Sequence, residues 1–483
     1  MRTFTYRLDP LKRLPLLAWA CTALALGGCM LGPDYQRPPV ALDPQWQAPL
    51  PHGGSVSGLQ HWWQQFNDPA LTQLLRMAEA DSPSMDQAWA NIAQARATLG
   101  SREADAWPQV NGQYQVGRGG QRQGEQKVGG SGYAKTLDAS WELDLFGKLR
   151  RNNEAGQARL EARVDDWHDA RVSLAAQVAN DYVQYRGCQL LSQLYADQLR
   201  SQQATADATR QSLQAGLISS ADAALADASA ASSQSALIEQ ESQCQLLVKS
   251  LVALTGGNEP RLRSVLDATP ARLPQPAQLQ VTQIPADLVR QRPDIASRER
   301  EMAAANAEIG VAKADRLPSL SLVGTFTAGA QIGQANRSWT LGPSISLPLL
   351  DGGRRLATQR GAEAVYAAAV AAYRQTLRTG VMEVEQALVR LDASGRREAS
   401  AERASAGYQA SFEATDRNWQ AGNASLLDRE TARRQALEAD IQRITLQQDQ
   451  VRDWINLYKA LGGGWQPDAP LARQPSSLPG GGT

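Results

Sequence analysis

The sequence predicts an α+β membrane protein made of two duplicated halves, each with a strand pair and a long helical hairpin. Three observations carry this. The first is an internal repeat: Pro83–Pro108 lines up with Pro293–Pro318 at an offset of 210, so that Ala97, Gly100, Ala104, Asp105 and Pro108 fall on Ala307, Gly310, Ala314, Asp315 and Pro318. Gln214-Ala215-Gly216 then meets Gln420-Ala421-Gly422 at offset 206. A period near 200 means two copies of a whole half, where a solenoid repeats every 20 to 50 residues. The second observation is a set of four stretches in which apolar and polar residues alternate with period two. The third is that each strand pair is followed by a helical stretch of about 65 residues, roughly 100 Å long at 1.5 Å per residue.

The N-terminus precedes the fold. Arg2, Arg7, Lys12 and Arg13 form a basic region ahead of the apolar run Leu14–Leu26. That run is too short to span a bilayer and has the form of a secretory signal. It ends in Leu26-Gly27-Gly28-Cys29, the pattern of a bacterial lipobox. Residues 1–28 are therefore read as a lipoprotein signal peptide and Cys29 as the lipidation site, the alternative being cleavage elsewhere with Cys29 incidental. Met30 stands where an Asp would retain a lipoprotein at the inner membrane, which points to the outer membrane and its lipid. Residues 29–60 are rich in Pro and Gly and predict a lipidated, extended tether with no core of its own.

Composition removes several function classes. Forty-nine basic and 49 acidic residues give zero net charge, which argues against a nucleic-acid partner. His52, His61 and His168 are far apart and lack metal-ligand spacing, so no metal or cofactor is expected. Beyond the signal no apolar stretch is long enough for a membrane helix, so a membrane crossing needs strands. No G-x-S-x-G, HExxH or P-loop supports an enzyme. Cys188 and Cys244 lie symmetrically about Gly216, at equal height on the two arms of a hairpin turning there; they form either a disulfide or a free buried pair.

Along the chain, helices are expected at Pro69–Ala80 and Pro83–Ala106. The alternating stretches are Val110–Val116, Leu137–Phe146, Leu320–Ala328 and Trp339–Leu349. In the second, Leu137, Ala139, Trp141, Leu143 and Leu145 oppose Asp138, Ser140, Glu142 and Asp144, the pattern of a barrel wall. Gly117–Gly132 is expected to be an exposed polar loop. Four strands cannot close a barrel, and open edges are not tolerated in lipid. Three chains would supply twelve, which predicts a homotrimer. The long helices Leu149–Leu213 and Arg354–Trp419 turn at Gly216 and Gly422 and return as Ala221–Leu254 and Ser425–Leu461, with a glycine stop from Gly462. The domain division is a first repeat at 61–256, an irregular connector at 257–284, a second repeat at 285–465 and a disordered tail at 466–483.

Several strings resemble one family. Ser140–Arg151 (SWELDLFGKLRR), Ile284–Ile295 (IPADLVRQRPDI), Leu457–Trp465 (LYKALGGGW), Gly32–Val40 (GPDYQRPPV) and Trp62–Leu71 (WWQQFNDPAL) are similar to the TolC-like outer-membrane factors, in their NodT-type lipoprotein branch. The resemblance implies a trimer with a twelve-stranded outer-membrane β-barrel on a twelve-helix periplasmic α-barrel. It implies the exit duct of a tripartite efflux pump, passing small molecules such as drugs. The implied partners are a periplasmic adaptor and an inner-membrane transporter, of RND type. Ducts for type I protein secretion or metal-cation efflux, and a structural envelope coiled-coil lipoprotein, are the alternatives.

By the same resemblance the hairpin tips dock the adaptor. They carry Gly216, Leu217 and Ser219 in the first repeat and Gly422, Asn423 and Ser425 in the second. Asp428 and Thr431 occupy places where relatives carry aspartates that narrow the closed pore. A ring of Asp428 would be an acidic gate; the alternative is a solvated helix acid. Arg417, Arg429 and Arg433 are candidates to hold that acid in ion pairs.

Overall fold

In the computed structural model the described residues are 30–38, 46–48, 63, 65–123, 126–274, 292–331 and 334–463. Cys29, the signal ahead of it and the tail from residue 466 lie outside them. The chain divides into two compact units. The first comprises Asn91–Val164 and Ser297–Arg374 with the N-terminal residues; the second comprises Val40–Ala90, Asp165–Ala296 and the chain from Gln375.

The element order is α1 (Pro69–Asp81), α2 (Pro83–Ala104), β1 (Gln109–Gln123), β2 (Gln126–Leu143), α3 (Lys148–Gln214), α4 (Ser220–Thr255), α5 (Glu259–Asp267), α6 (Pro293–Ala314), β3 (Ser319–Gln331), β4 (Gln334–Ser346), α7 (Arg354–Gln420) and α8 (Leu426–Ala460). The duplication appears as matched lengths: α2 and α6 each have 22 residues, α3 and α7 each have 67. α4 and α8 have 36 and 35.

In the first unit the four strands form one antiparallel sheet in sequence order, β2 pairing with β3 across the two repeats. The hairpin of β1 and β2 is longer than expected, because Gly117–Gly132 is mostly strand, paired as far as Gln123 and Gln126. Glycine and glutamine there give no alternation to read, yet the backbone ladder continues. At the other end β2 stops at Leu143, short of Phe146. Asp144 turns to the start of α3 and accepts from Leu149 N (3.2 Å) and Arg150 N (3.0 Å). β4 stops at Ser346, ahead of Pro348, which has no amide hydrogen for a ladder.

Residues 30–38, within the stretch expected to be an extended tether, lie seated against the fold. Leu31 N donates to Phe146 O (3.1 Å) and Asn306 Nδ2 to Pro33 O (2.8 Å). Arg151, 1% exposed at the start of α3, donates to Leu31 O (3.0 Å) and pairs with Asp34 (2.8 Å) and Glu154 (2.8 Å). Arg37 donates through Nε to Glu299 (2.8 Å). The approach is close enough to need glycine: a Cβ on Gly310 would lie 2.7 Å from the Leu31 oxygen, and Gly32 sits at φ +96°. Beneath this strap, Ala155 and Ala158 of α3 pack on Ala304 and Ala307 of α6.

In the second unit, Tyr182 of α3 donates to Asp68 (2.7 Å), which also caps α1 through Ala70 N and Leu71 N. Arg186, 1% exposed, donates to Tyr182 Oη (3.0 Å) and to Leu266 O (2.9 Å). Leu266 belongs to α5, a helix inside the stretch expected to be irregular. Asn258 caps α5, accepting from Arg261 N (3.0 Å), and Leu262, Val265 and Leu266 are buried. Residues 275–284 of the connector and 285–291 of the second repeat lie outside the described residues. Cys188 of α3 and Cys244 of α4 are joined as a disulfide, with 5.6 Å between their Cα atoms.

Candidate functional site: a two-faced sheet and two hairpin tips

The register of the sheet sorts its residues onto two unlike faces. Val110, Tyr114 and Val116 of β1 share a face with Tyr133, Leu137 and Trp141 of β2. Phe326 and Leu322 of β3, then Trp339, Leu341 and Ile345 of β4, continue it. These large apolar side chains are exposed, Val110 at 66%, Trp339 at 76% and Ile345 at 72%. The opposite face carries Asn111, Gln113, Thr136, Asp138, Ser140, Glu142, Thr325, Thr327 and Thr340. Thr325 Oγ1 donates to Asp138 Oδ1 at 2.9 Å. A sheet that exposes its apolar face suits lipid on that side and water on the other. Among the described residues β1 and β4 are edge strands, each with an unpaired row of backbone groups.

At the far end of the second unit's hairpins the two tips have the same backbone. Leu217 N donates to Ser212 O (2.9 Å) and Gly216 N to Leu213 O (2.9 Å); Asn423 N donates to Asn418 O (2.8 Å) and Gly422 N to Trp419 O (2.9 Å). Both are Schellman closures with glycine in the left-handed region, at φ +73° for Gly216 and +77° for Gly422. Among the described residues nothing lies within 4 Å of a Cβ built on either glycine. Ser219 and Ser425 then cap the return helices, accepting from Asp222 N (3.2 Å) and Asp428 N (3.1 Å). The side chains differ: Leu217 is 76% exposed, while the second tip presents Asn423.

Asp428 is the acid of a capping box. Its Oδ2 accepts from Ser425 Oγ (2.6 Å) and Ser425 N (3.2 Å), and these bonds hold its carboxyl below the usual range. Two of the arginines expected to hold it, Arg429 and Arg433, bond to other groups. Arg429 is buried; its Nε donates to Asp416 of α7, its Nη1 donates to Thr205 of α3 (2.6 Å), and its plane lies 4.4 Å from the Trp419 ring. Arg433, 2% exposed, pairs with Glu430 (3.1 Å), and burial lowers its pKa to about 10. Gln202 of α3 donates to Glu430 (2.6 Å). Thr205, Gln202, Asp416 and Glu430 are not singled out by any motif, because their roles come from helices meeting in space. The two caps did have a local signal, Ser-x-x-Asp at 219–222 and again at 425–428, although only the second closes as a full capping box.

Among the described residues no helix is long and apolar enough to cross a membrane, and no group of His, Cys, Asp and Glu is arranged to hold a metal. The family model described as outer membrane efflux protein matches residues 74–257 and 284–463. The chain is similar to nodulation protein T of Rhizobium leguminosarum bv. viciae, with 28% identity over 95% of each chain. It is also similar to the toluene efflux pump outer membrane protein TtgC of Pseudomonas putida, with 29% identity over 96% of this chain and 98% of the relative. Among solved structures it resembles the outer-membrane channel OprN, with 30% identity and a TM-score of 0.81, covering 90% of this chain and all of that one.

Proposed function

Since the chain belongs to the outer membrane efflux protein family, in its NodT-type branch, we propose that it is the outer-membrane exit duct of a tripartite efflux pump. It passes small molecules such as drugs and solvents from an inner-membrane transporter, of RND type, and a periplasmic adaptor to the outside. The observation that carries this is the sheet with an exposed apolar face, a polar face and two open edges. Such edges need partners in a bilayer, because unpaired backbone groups there cost several kcal/mol each. Pairing β1 of one copy with β4 of the next, three times, closes a twelve-stranded barrel whose lumen is lined by the Asp138 and Glu142 face.

The repeats at 61–256 and 285–465 each supply two strands and one helical hairpin to this assembly, giving twelve helices in a trimer. Cys29 carries the lipid that anchors it, and the duct performs no chemistry. The tips at Gly216, Leu217 and Ser219 and at Gly422, Asn423 and Ser425 are the adaptor-docking surfaces; their open, shared geometry supports that role. The periplasmic gate lies just above them, with the exposed carboxylate of Asp428 and the buried cation of Arg429 as its parts.

The test is electrical and genetic. Purified trimer added to a planar bilayer should give discrete conductance steps, and the gene should restore toluene or drug efflux to a strain lacking its own duct. Protein that inserts no channel and restores no efflux would exclude the duct reading.

A further inference from the structure

On the sheet, charge is segregated by face. Among strand residues whose side chains are described, the acids Asp138 and Glu142 lie on the polar face. Arg118, Lys135 and Arg337 all lie on the apolar one. Lys135 and Arg337 share a single register row, Tyr114 opposite Lys135 opposite Ala328 opposite Arg337. Neighbouring strands are about 4.8 Å apart, so these two backbone positions are roughly 10 Å apart.

Two cations just past the strands of this sheet are matched by acids. At its base Lys148 pairs with Asp315 (3.0 Å) and Glu142 (3.8 Å), and Arg150 pairs with Asp144 (3.2 Å). Among the described residues Lys135 and Arg337 meet no carboxylate, and both are exposed. Lys135 Nζ lies 5.8 Å from the centre of the Tyr114 ring, which steadies the cation without neutralising it.

Their height matters. Lys135 stands roughly 27 Å along β2 from Leu143 at 3.4 Å per residue, or roughly 21 Å of vertical rise with a strand tilt of about 40°. An outer-membrane barrel has an apolar band about 25 Å tall. The row therefore sits at the upper edge of that band, on the side remote from the helices. A cation at the midplane is costly to bury, whereas near the interface the cost falls toward zero. There its natural counter-charge is a lipid phosphate.

We propose that Lys135 and Arg337 form a phosphate-binding row for the anionic glycolipid of the outer leaflet. In this assignment, which rests on the outer-membrane duct proposed above, each protomer holds one lipid headgroup against its outer wall. Tyr114 positions the Lys135 ammonium, and Arg337 supplies a planar fork for a second phosphate contact.

The test places purified protein in phosphatidylcholine nanodiscs, alone or doped with bisphosphorylated lipid A, and counts retained lipid A by native mass spectrometry. Each surface cation is worth about fivefold in attraction to an anionic lipid, so Lys135→Gln with Arg337→Gln should weaken retention by about twenty- to thirtyfold. Asp138→Asn, on the opposite face, should leave retention unchanged. Equal retention by the double variant and the wild type would overturn the proposal. Should the double variant fail to assemble, the wild type alone decides: enzymatically dephosphorylated lipid A must be lost, and its equal retention overturns the proposal too. Wild-type protein that enters nanodiscs and conducts, yet ignores lipid A, sinks this proposal only. Wild-type protein that never inserts sinks the duct as well.

Discussion

Arg429 at the start of α8 donates from Nη1 to Thr205 of α3 across 2.6 Å, and so ties the helical hairpin of one repeat to that of the other. The contact is buried, and Asp416 and the Trp419 ring hold the same guanidinium from α7. A change in how the hairpins lie near their tips must break or rebuild this set. Its members come from three helices, so it reports on their packing as a group.

Arg429→Ala leaves Asp416 short of a cation in a site largely shut off from water. Removing one partner of such a pair costs about 3–5 kcal/mol. The expected outcome is a lower melting temperature and, in planar bilayers without the adaptor, more frequent or larger openings. Arg429→Lys should fall between, since an ammonium cannot both fork and stack. Unchanged melting and conductance in Arg429→Ala would show that the contact holds nothing shut.

Asp428 and Asp222 occupy the same capping place in the two tips. If Asp428 has only that role, alanine at either position should have the same small effect. A gate role predicts asymmetry: Asp428→Ala should raise conductance and weaken cation selectivity, whereas Asp222→Ala should not. Matching behaviour of the two variants in single-channel recordings would leave Asp428 as a cap alone.

The bridge between Cys188 and Cys244 closes a loop with a sequence separation of 56. By chain entropy, a loop of that size is worth about 4 kcal/mol. Replacing both cysteines by serine should lower urea resistance by an amount of that order, and reductant should do the same to the wild type only. Equal resistance of oxidised and reduced wild type would mean that the unfolded chain gains little from the cut.

Gly216→Trp tests docking at the tip. The residue needs φ +73°, so a side chain costs about 1–2 kcal/mol, too little to dismantle the hairpin. Among the described residues nothing fills the space beside it. Membrane levels and the trimer band should be normal, while efflux falls to that of the deletion strain. Normal efflux would remove the tip from the docking surface.

Gly310→Val tests the N-terminal strap. The added carbons would overlap the Leu31 carbonyl, and forcing them in should cost about 1–3 kcal/mol. Residues 30–38 should then be cut by protease far sooner than in the wild type. Equal cleavage rates would show that the strap is not seated on α6.

The duplication made most of the architecture legible. An offset of 206 between Gly216 and Gly422 recurs between Ser219 and Ser425, and helix lengths followed from it. The strand cores were legible through alternation at Leu137–Leu143. Where alternation ends, as at Gly117–Gly132, a paired ladder has no side-chain signature. The strap was illegible for a related reason: Pro and Gly suggest an unstructured tether, yet Gly32 and Gly310 are small because two backbones touch. At the candidate gate, Arg429 was visible as a charge near the tip, but its partners lie on other helices, Asp416 across the turn on α7 and Thr205 in the other repeat on α3. Helix packing decides such pairs, and no local pattern encodes it.

The two tips share a backbone but not a surface. Leu217 offers a greasy knuckle where Asn423 offers an amide. An assembly of identical adaptor subunits meeting every tip in turn would find strong and weak seats in strict alternation. Half of its grips would be dry contacts that tolerate salt, and half would be polar contacts that water can contest. Loading would then come in two waves, and a variant equalising the knuckles, such as Asn423→Leu, would merge them into one.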